Sequence, residues 1–387
     1  MKNTIYIVFL FILSISGQSC SKKRLGRDFE GGQIIQVLFE PDKYASLDSY
    51  IDEITVIPLE TNDNCLIGAR LAGVKVYRDL IYINSANQQL LVFDLNGNFI
   101  REIGKRGQGP GEFIWINDFI FTNDETIELL DFKKIDSYTL NGKYIGTIKR
   151  FDFLGTDFYL NPDKFCRSFS SGYFLWGGVG GLVDERLREK SSMMYRVNSN
   201  MQIESEYFDT KYGGGGTSRD RFRYYQDKIL LTTSNFDYNI YQINSGDSVS
   251  IRYSFDFGKY GFDSSKEDID LSIANEHYVS GSHFEETGRF LYFMFSYQRR
   301  VHSLIYSKAT GQSFIQSFVP FNNGNEIRLF PVQAVHNDRL IAIVSVYALK
   351  LDLERMSREN IGKWGLEEFY RLDNEDNPVL VIYKTKL

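Results

Sequence analysis

The residues of this chain best suited to chemistry are cationic and aromatic side chains that fall between apolar runs. Lys105 and Arg106 open a glycine-rich stretch, Lys133 and Lys134 separate two strand-like runs, and Trp176 closes a third. Asn235 and Phe236 hold a similar place, as do Tyr297, Gln298, Arg299 and Arg300. A guanidinium forks a carboxylate or sulfate, and an aromatic ring offers a stacking face. The set suits non-covalent capture of an anionic or sugar ligand. Arg106, Trp176, Arg299 and Arg300 are the expected contacts, because guanidinium and large aromatic groups dominate binding hot spots. Tyr212–Gly216 (YGGGG) and Arg219–Arg223 (RDRFR) lie beside them in the pattern. Charged loops are also commonly just solvated, and that reading stays open.

Four histidines offer the other chemistry: His277, His283, His302 and His336. Three His with carboxylates could hold Zn²⁺. His283 and His336 fall on runs expected to lie innermost, and His302 on one farther out. Nothing in their spacing demands a metal, so none is expected. A metal-dependent lyase or hydrolase is the alternative function. No Gly-x-Ser-x-Gly elbow and no HExxH occurs, so no catalytic residue is assigned. Gly104–Gly111 lacks the Lys-Ser/Thr pair and the following helix of a phosphate loop, and reads as a connector whose glycines permit unusual φ. Asp94, Asn96 and Asn98 are spaced like a Ca²⁺ loop, but Gly97 is misplaced and no closing Glu follows, so a hairpin is expected. No cofactor is expected.

The charge balance narrows the partners. A formal net charge of −6 argues against nucleic acid, whose binders carry a basic stripe. The expected partner is a glycan, a peptide or an envelope protein, met by a monomer. The N-terminus specifies export. Lys2 precedes the apolar run Ile5–Ile15, and small residues Gly17 and Ser19 precede Cys20. Residues 1–20 read as a lipoprotein-type signal with Cys20 as the lipidated residue, so the membrane is reached through an N-terminal lipid. The alternative is ordinary cleavage and secretion. Residues 21–49 read as a tether and lead-in, whose Lys22, Lys23, Arg24 and Arg27 are suited either to anionic lipid headgroups or to an ordinary solvated leader. Cys65 and Cys166 are far apart in sequence and are expected to be buried free thiols.

The elements that position these groups recur six times. Each copy reads apolar run, turn, apolar run, loop, apolar run, Asn-Gly-type turn and a last strand. The clearest are Leu80–Ile103 and Thr126–Ile148. The turns Arg78-Asp79, Asn123-Asp124, Ser171-Gly172, Gln226-Asp227, Thr287-Gly288 and Asn337-Asp338 recur about every 50 residues, a propeller period. The fold class is therefore all-β, a six-bladed β-propeller of four-stranded antiparallel blades over residues 50–387. The last blade lacks its fourth strand, and Glu53–Leu59 is expected to supply it beside Pro378–Lys384, removing two open edges. Two insertions, Gly178–Lys190 and Tyr347–Asp376, interrupt blades 3 and 6. The second is helix-like and is placed across the rim as a partial cap.

With the repeats in place, the chain resembles the six-bladed β-propeller lipoproteins of Gram-negative bacteria, distant kin of NHL-repeat propellers. The resemblance rests on Ile57-Pro58-Leu59-Glu60-Thr61, Leu90-Leu91-Val92-Phe93-Asp94, Gly104–Phe113 (GKRGQGPGEF) and the closing Asn377–Tyr383. Blades 3 to 5 lack the Gly-Pro-Gly linker. The resemblance implies a fold and an envelope location, and no catalytic residue. It leads to a binding or scaffold module working through its loop-rich face.

Overall fold

The computed structural model describes residues 29, 31–68, 71–131, 134–150, 162–177, 192–209, 221–233, 235–263, 274, 276–317 and 329–387. The signal region with Cys20, most of the tether, the Gly178–Lys190 insertion, Lys133, Tyr212–Gly216 and Arg219 lie outside the described residues.

Six antiparallel sheets form the ring. Their innermost strands are Leu71–Tyr77, Asp118–Phe121, Lys164–Arg167, Phe222–Tyr225, Ser280–Glu286 and Ala334–His336. Each opens its blade, and the inner strands of blades 2 and 3, 3 and 4, 5 and 6, and 6 and 1 touch around the axis. The hairpins follow the local chemistry. Arg78 and Asp79, then Asn337 and Asp338, all take positive φ, as the tight turns that match strand twist require. Gly97, Gly142 and Gly311 do so in the outer hairpins. Blade 6 closes as expected. Ile51–Pro58 pairs antiparallel with Val379–Thr385, with Val56 opposite Val381. Its inner strand is shorter than the apolar run Leu329–His336, because Leu329–Val332 packs between blades without pairing.

The core is divided among the gaps between blades. Leu90, Phe113, Phe119 and Tyr138 fill the gap between blades 1 and 2. Phe174, Trp176, Phe222 and Tyr241 fill that between blades 3 and 4. The largest cluster joins blades 5 and 6 and absorbs the insertion. Helix α1 (Val346–Leu353) is capped by Ser345 Oγ, which accepts from Ala348 N at 3.2 Å, and α2 (Arg358–Lys363) is capped by Ser357. Leu349, Leu353, Ile361, Leu366 and Phe369 go down into the gap. Ion pairs bridge neighbouring blades near the axis: Lys75 to Asp118 at 2.8 Å, Arg167 to Glu128, and Arg223 to Glu285 at 2.6 Å.

The lead-in holds a feature that the repeat pattern does not announce. Gln33–Gln36 adds to blade 4 as a fifth, parallel strand, with Ile34 opposite Ser254. Ile35, Val37 and Phe39 then point inward, and Leu47 and Tyr50 reach the gap between blades 5 and 6. Residues 33–50 thus run across blades 4, 5 and 6 before the closing strand begins. Among the described residues no helix is long and apolar enough to cross a membrane.

Candidate binding face at the channel mouth

In this topology the turns between the second and third strands share one face with the connectors from each outermost strand to the next blade. Arg299 lies there as expected. It is the second residue of the Gln298–Arg299 turn, with φ 62°, and its exposed guanidinium meets Glu276 at 2.6 Å. Arg300 is half exposed, 3.7 Å from Asp42. Arg106 is exposed on the connector between blades 1 and 2. Blades 6 and 1 lie between blade 5 and that connector, and among the described residues no contact joins Arg106 to Arg299 or Arg300.

Trp176 is a correction. It is only 3 % exposed, packed against Phe208 and covered by the Arg221 guanidinium 4.7 Å from its ring. It ends the second strand of blade 3, but its side chain enters the gap to blade 4. A ligand on the surface cannot touch it. Arg221 is buried as well and donates to the Thr233 carbonyl; burial pushes its pKa down to about 10, against the pull of Asp163. Arg223 faces blade 5 as part of the inner wall. Lys134 is paired with Asp136 at 2.6 Å.

The histidines are dispersed. His283 is buried on the inner strand of blade 5. Its Nδ1 lies 3.2 Å from Arg223 Nη2, and because a guanidinium only donates, Nδ1 accepts and the proton sits on Nε2. That Nε2 stands 3.1 Å from Glu285 Oε1 without hydrogen-bond alignment. His336 meets Asp79 at 2.6 Å at the opposite end of the ring. His302 is 1 % exposed among Phe39, Phe295 and Tyr44. Burial, with the Arg300 charge nearby, pulls its pKa down to about 4. Among the described residues no group of three His, Cys, Asp or Glu side chains is placed to hold a metal ion.

A concavity that the loop residues did not reveal opens at the mouth of the channel. It measures about 770 Å³, within the usual range for ligand sites. Leu71 and Gly73 of blade 1, His283 of blade 5 and Gln333 of blade 6 line it from the ring. The insertion frames it from outside with Tyr347, whose side chain is 58 % exposed, and with Glu375 and Asp376. This return is held firmly. Asn377 Nδ2 donates to the carbonyls of Glu60 and Cys65 at 2.6 and 2.8 Å, and its Oδ1 accepts from Ile67 N at 2.9 Å. The only sequence signal was the length of the insertion.

A six-bladed ring whose channel mouth holds a concavity framed on one side by an insertion is the class of protein that fold and site define. The chain belongs to the DUF4934 family, a domain of unknown function, whose pattern matches residues 33–384. No curated protein matches it in sequence. Among solved structures it is similar to a Bacteroides fragilis protein classed as exported, with 20 % identity and a TM-score of 0.73, over 92 % of this chain and 100 % of that one. It is also similar to the extracellular domain of a hybrid two-component system from B. thetaiotaomicron. There the identity is 12 % and the TM-score 0.41, over 76 % of this chain and 41 % of that one.

Proposed function

We propose that this protein is an exported binding module of the cell envelope, a monomer that holds a glycan, peptide or partner protein at the mouth of its channel. The observation that carries the reading is the concavity of about 770 Å³ framed by the blade 6 insertion. Long insertions on a rigid scaffold are where binding surfaces are built. Arg299, Arg300 and Arg106 are proposed as rim contacts, and Trp176 is withdrawn from the contact set because it is buried. Export is supported by the apolar N-terminal run ending at Cys20, and by the likeness to an exported relative. Lipid attachment at Cys20, and the finer kinship to NHL-repeat lipoproteins, belong to the same proposal.

Two experiments test it. Screening the purified protein against glycan and peptide arrays should yield a hit that weakens in Tyr347→Ala and Glu375→Gln. A hit that ignores both variants, and the loss of Arg299 as well, would place binding elsewhere. Labelled fatty acid should enter the wild-type protein in cells and not Cys20→Ala; incorporation in neither would leave plain secretion.

A further inference from the structure

The connector from blade 1 to blade 2 is held far more tightly than a passive link requires. Lys105–Arg106 folds back beside Glu112–Phe113 in parallel register, Arg106 opposite Phe113. Gly104 and Gly111 sit at φ 65° and 73°, where a side chain is strained. A Cβ at Gly104 would stand 2.8 Å from the buried Phe113 ring. Tyr138 donates to the Gly111 carbonyl at 3.1 Å and Lys134 to that of Glu112 at 2.6 Å. The next three amides are each taken by a buried side chain. Asp131 accepts from Ile114 N at 3.2 Å and Trp115 N at 3.1 Å, and Gln88 accepts from Ile116 N at 2.8 Å.

This rigid support presents two apolar side chains to water. Ile114 and Trp115 are 53 % and 52 % exposed, while Phe113 and Ile116 on either side are buried. Beside them, Lys105 and Arg106 are exposed; the Lys105 charge acts on the Glu102 carboxyl, and Arg106 makes no ion pair among the described residues. The register pairs Arg106 with Phe113 across the two short strands, and Trp115 follows two residues on in the same connector. Preorganising an exposed ring lowers the entropy lost on binding.

We propose that this connector is a platform for an acidic sugar. Trp115 gives the stacking face for one ring, and Arg106 with Lys105 takes the carboxylate or sulfate of the same or the neighbouring ring. The inference rests on the binding-module reading and places a second contact point on the same face. A partner protein suits it less, since an ordinary protein interface buries roughly 800 Å² per partner and the apolar exposure here is two side chains. A sugar ring needs one aromatic face and a charge.

The test is calorimetry on the full mature chain with tetragalacturonate, a chondroitin sulfate tetrasaccharide and neutral cellotetraose. The acidic probes should bind, and the neutral one should bind about tenfold more weakly or worse, the scale of one charged hydrogen bond. Trp115→Ala should weaken the acidic probes about tenfold or more, and Trp115→Phe should retain most of the affinity. The double variant Lys105→Gln with Arg106→Gln should bring acidic probes down to the neutral level. Added salt should weaken the acidic probes alone. The melting temperature of Trp115→Ala should stay near wild type, since half the side chain is already in water. Equal affinity for neutral and acidic probes, indifference to Trp115→Ala, or no binding at millimolar probe would each overturn the proposal. A ligand lost in Tyr347→Ala but retained in Trp115→Ala would overturn it while leaving the channel-mouth reading standing. A protein captured through Trp115 with no sugar bound would overturn it in favour of a protein contact.

Discussion

His302 should make the ring acid-sensitive, and His302→Phe should remove that sensitivity. Its ring is enclosed by Phe39 at 5.2 Å and Phe295 at 5.1 Å, with Tyr44 stacked at 5.9 Å. Arg300 and Tyr44 are the charged or titratable groups that face it, with Asp42 beyond Arg300. Burial and the Arg300 charge hold its pKa at about 4, against 6.5 when unfolded. The folded pKa is depressed, so the unfolded chain binds the extra proton between those values. Stability from this group is complete above about pH 6.5 and is lost as pH falls toward 4. Integrating the linkage gives a loss of about 2 kcal/mol between pH 7 and pH 5. For a ring of this size that is about 2–3 °C in melting temperature. Carboxylates add their own acid dependence, but it is common to both proteins. Melting wild type and His302→Phe from pH 7.5 to 4.5 isolates the histidine as the difference between the two curves. Phe fits the aromatic surroundings, so the variant should match wild type at pH 7.5 and exceed it at pH 5. Parallel curves would refute the reasoning, since they would mean that His302 takes its proton without cost.

Other consequences can be checked in the same preparations. Deleting residues through Pro58 removes the closing strand from Val379–Thr385 and opens both edges of the ring; chemical unfolding should show loss of the whole cooperative transition, and an unchanged midpoint would sink ring closure. Asn377→Leu leaves the Ile67 amide and two carbonyls unsatisfied in a buried site; denaturant titration should show a loss of about 2–4 kcal/mol, with the insertion's return loosened. Trp176→Ala should cost about 3–5 kcal/mol by the same measurement, whereas the exposed Arg299→Ala should stay within about 0.5 kcal/mol. Cys65 and Cys166 are fully buried free thiols whose pKa values are raised by burial; a thiol reagent should label neither until the protein is unfolded.

The insertion and the lead-in show where pattern reading reaches its limit. The apolar positions Leu351, Leu353, Met356, Ile361, Trp364, Leu366 and Phe369 sit among charges in a helix-like pattern, so an element needing an apolar bed is legible in the sequence, although Leu349 and not Leu351 enters the core. Which bed it takes, the gap between blades 5 and 6, depends on the shape that gap leaves. The strand Gln33–Gln36 has too few residues and no turn beside it to stand out. Its pairing is parallel to a strand more than 200 residues later, and no local signal encodes such a partner.

The sequence by itself determined the ring. Strand alternation and turn chemistry are local, with periods of two residues and of one blade, so Thr126–Asp131 or Ser280–Glu286 could be bounded by inspection. It also determined closure, because the run Glu53–Leu59 has no other partner; the strand observed there is Ile51–Pro58. The tertiary structure alone decided which side chains of a loop face outward. Trp176 closes an apolar run and Trp115 lies within the run Phe113–Ile116, yet Trp176, the contact expected from sequence, is buried and Trp115 is exposed. The first turns into the gap between blades and lies under Arg221; the second is carried outward by a connector pinned through Asp131. That choice depends on packing between segments remote in the chain, and the cavity at the mouth does too. Residues of blades 1, 5 and 6 and of the insertion meet there only because the ring has closed.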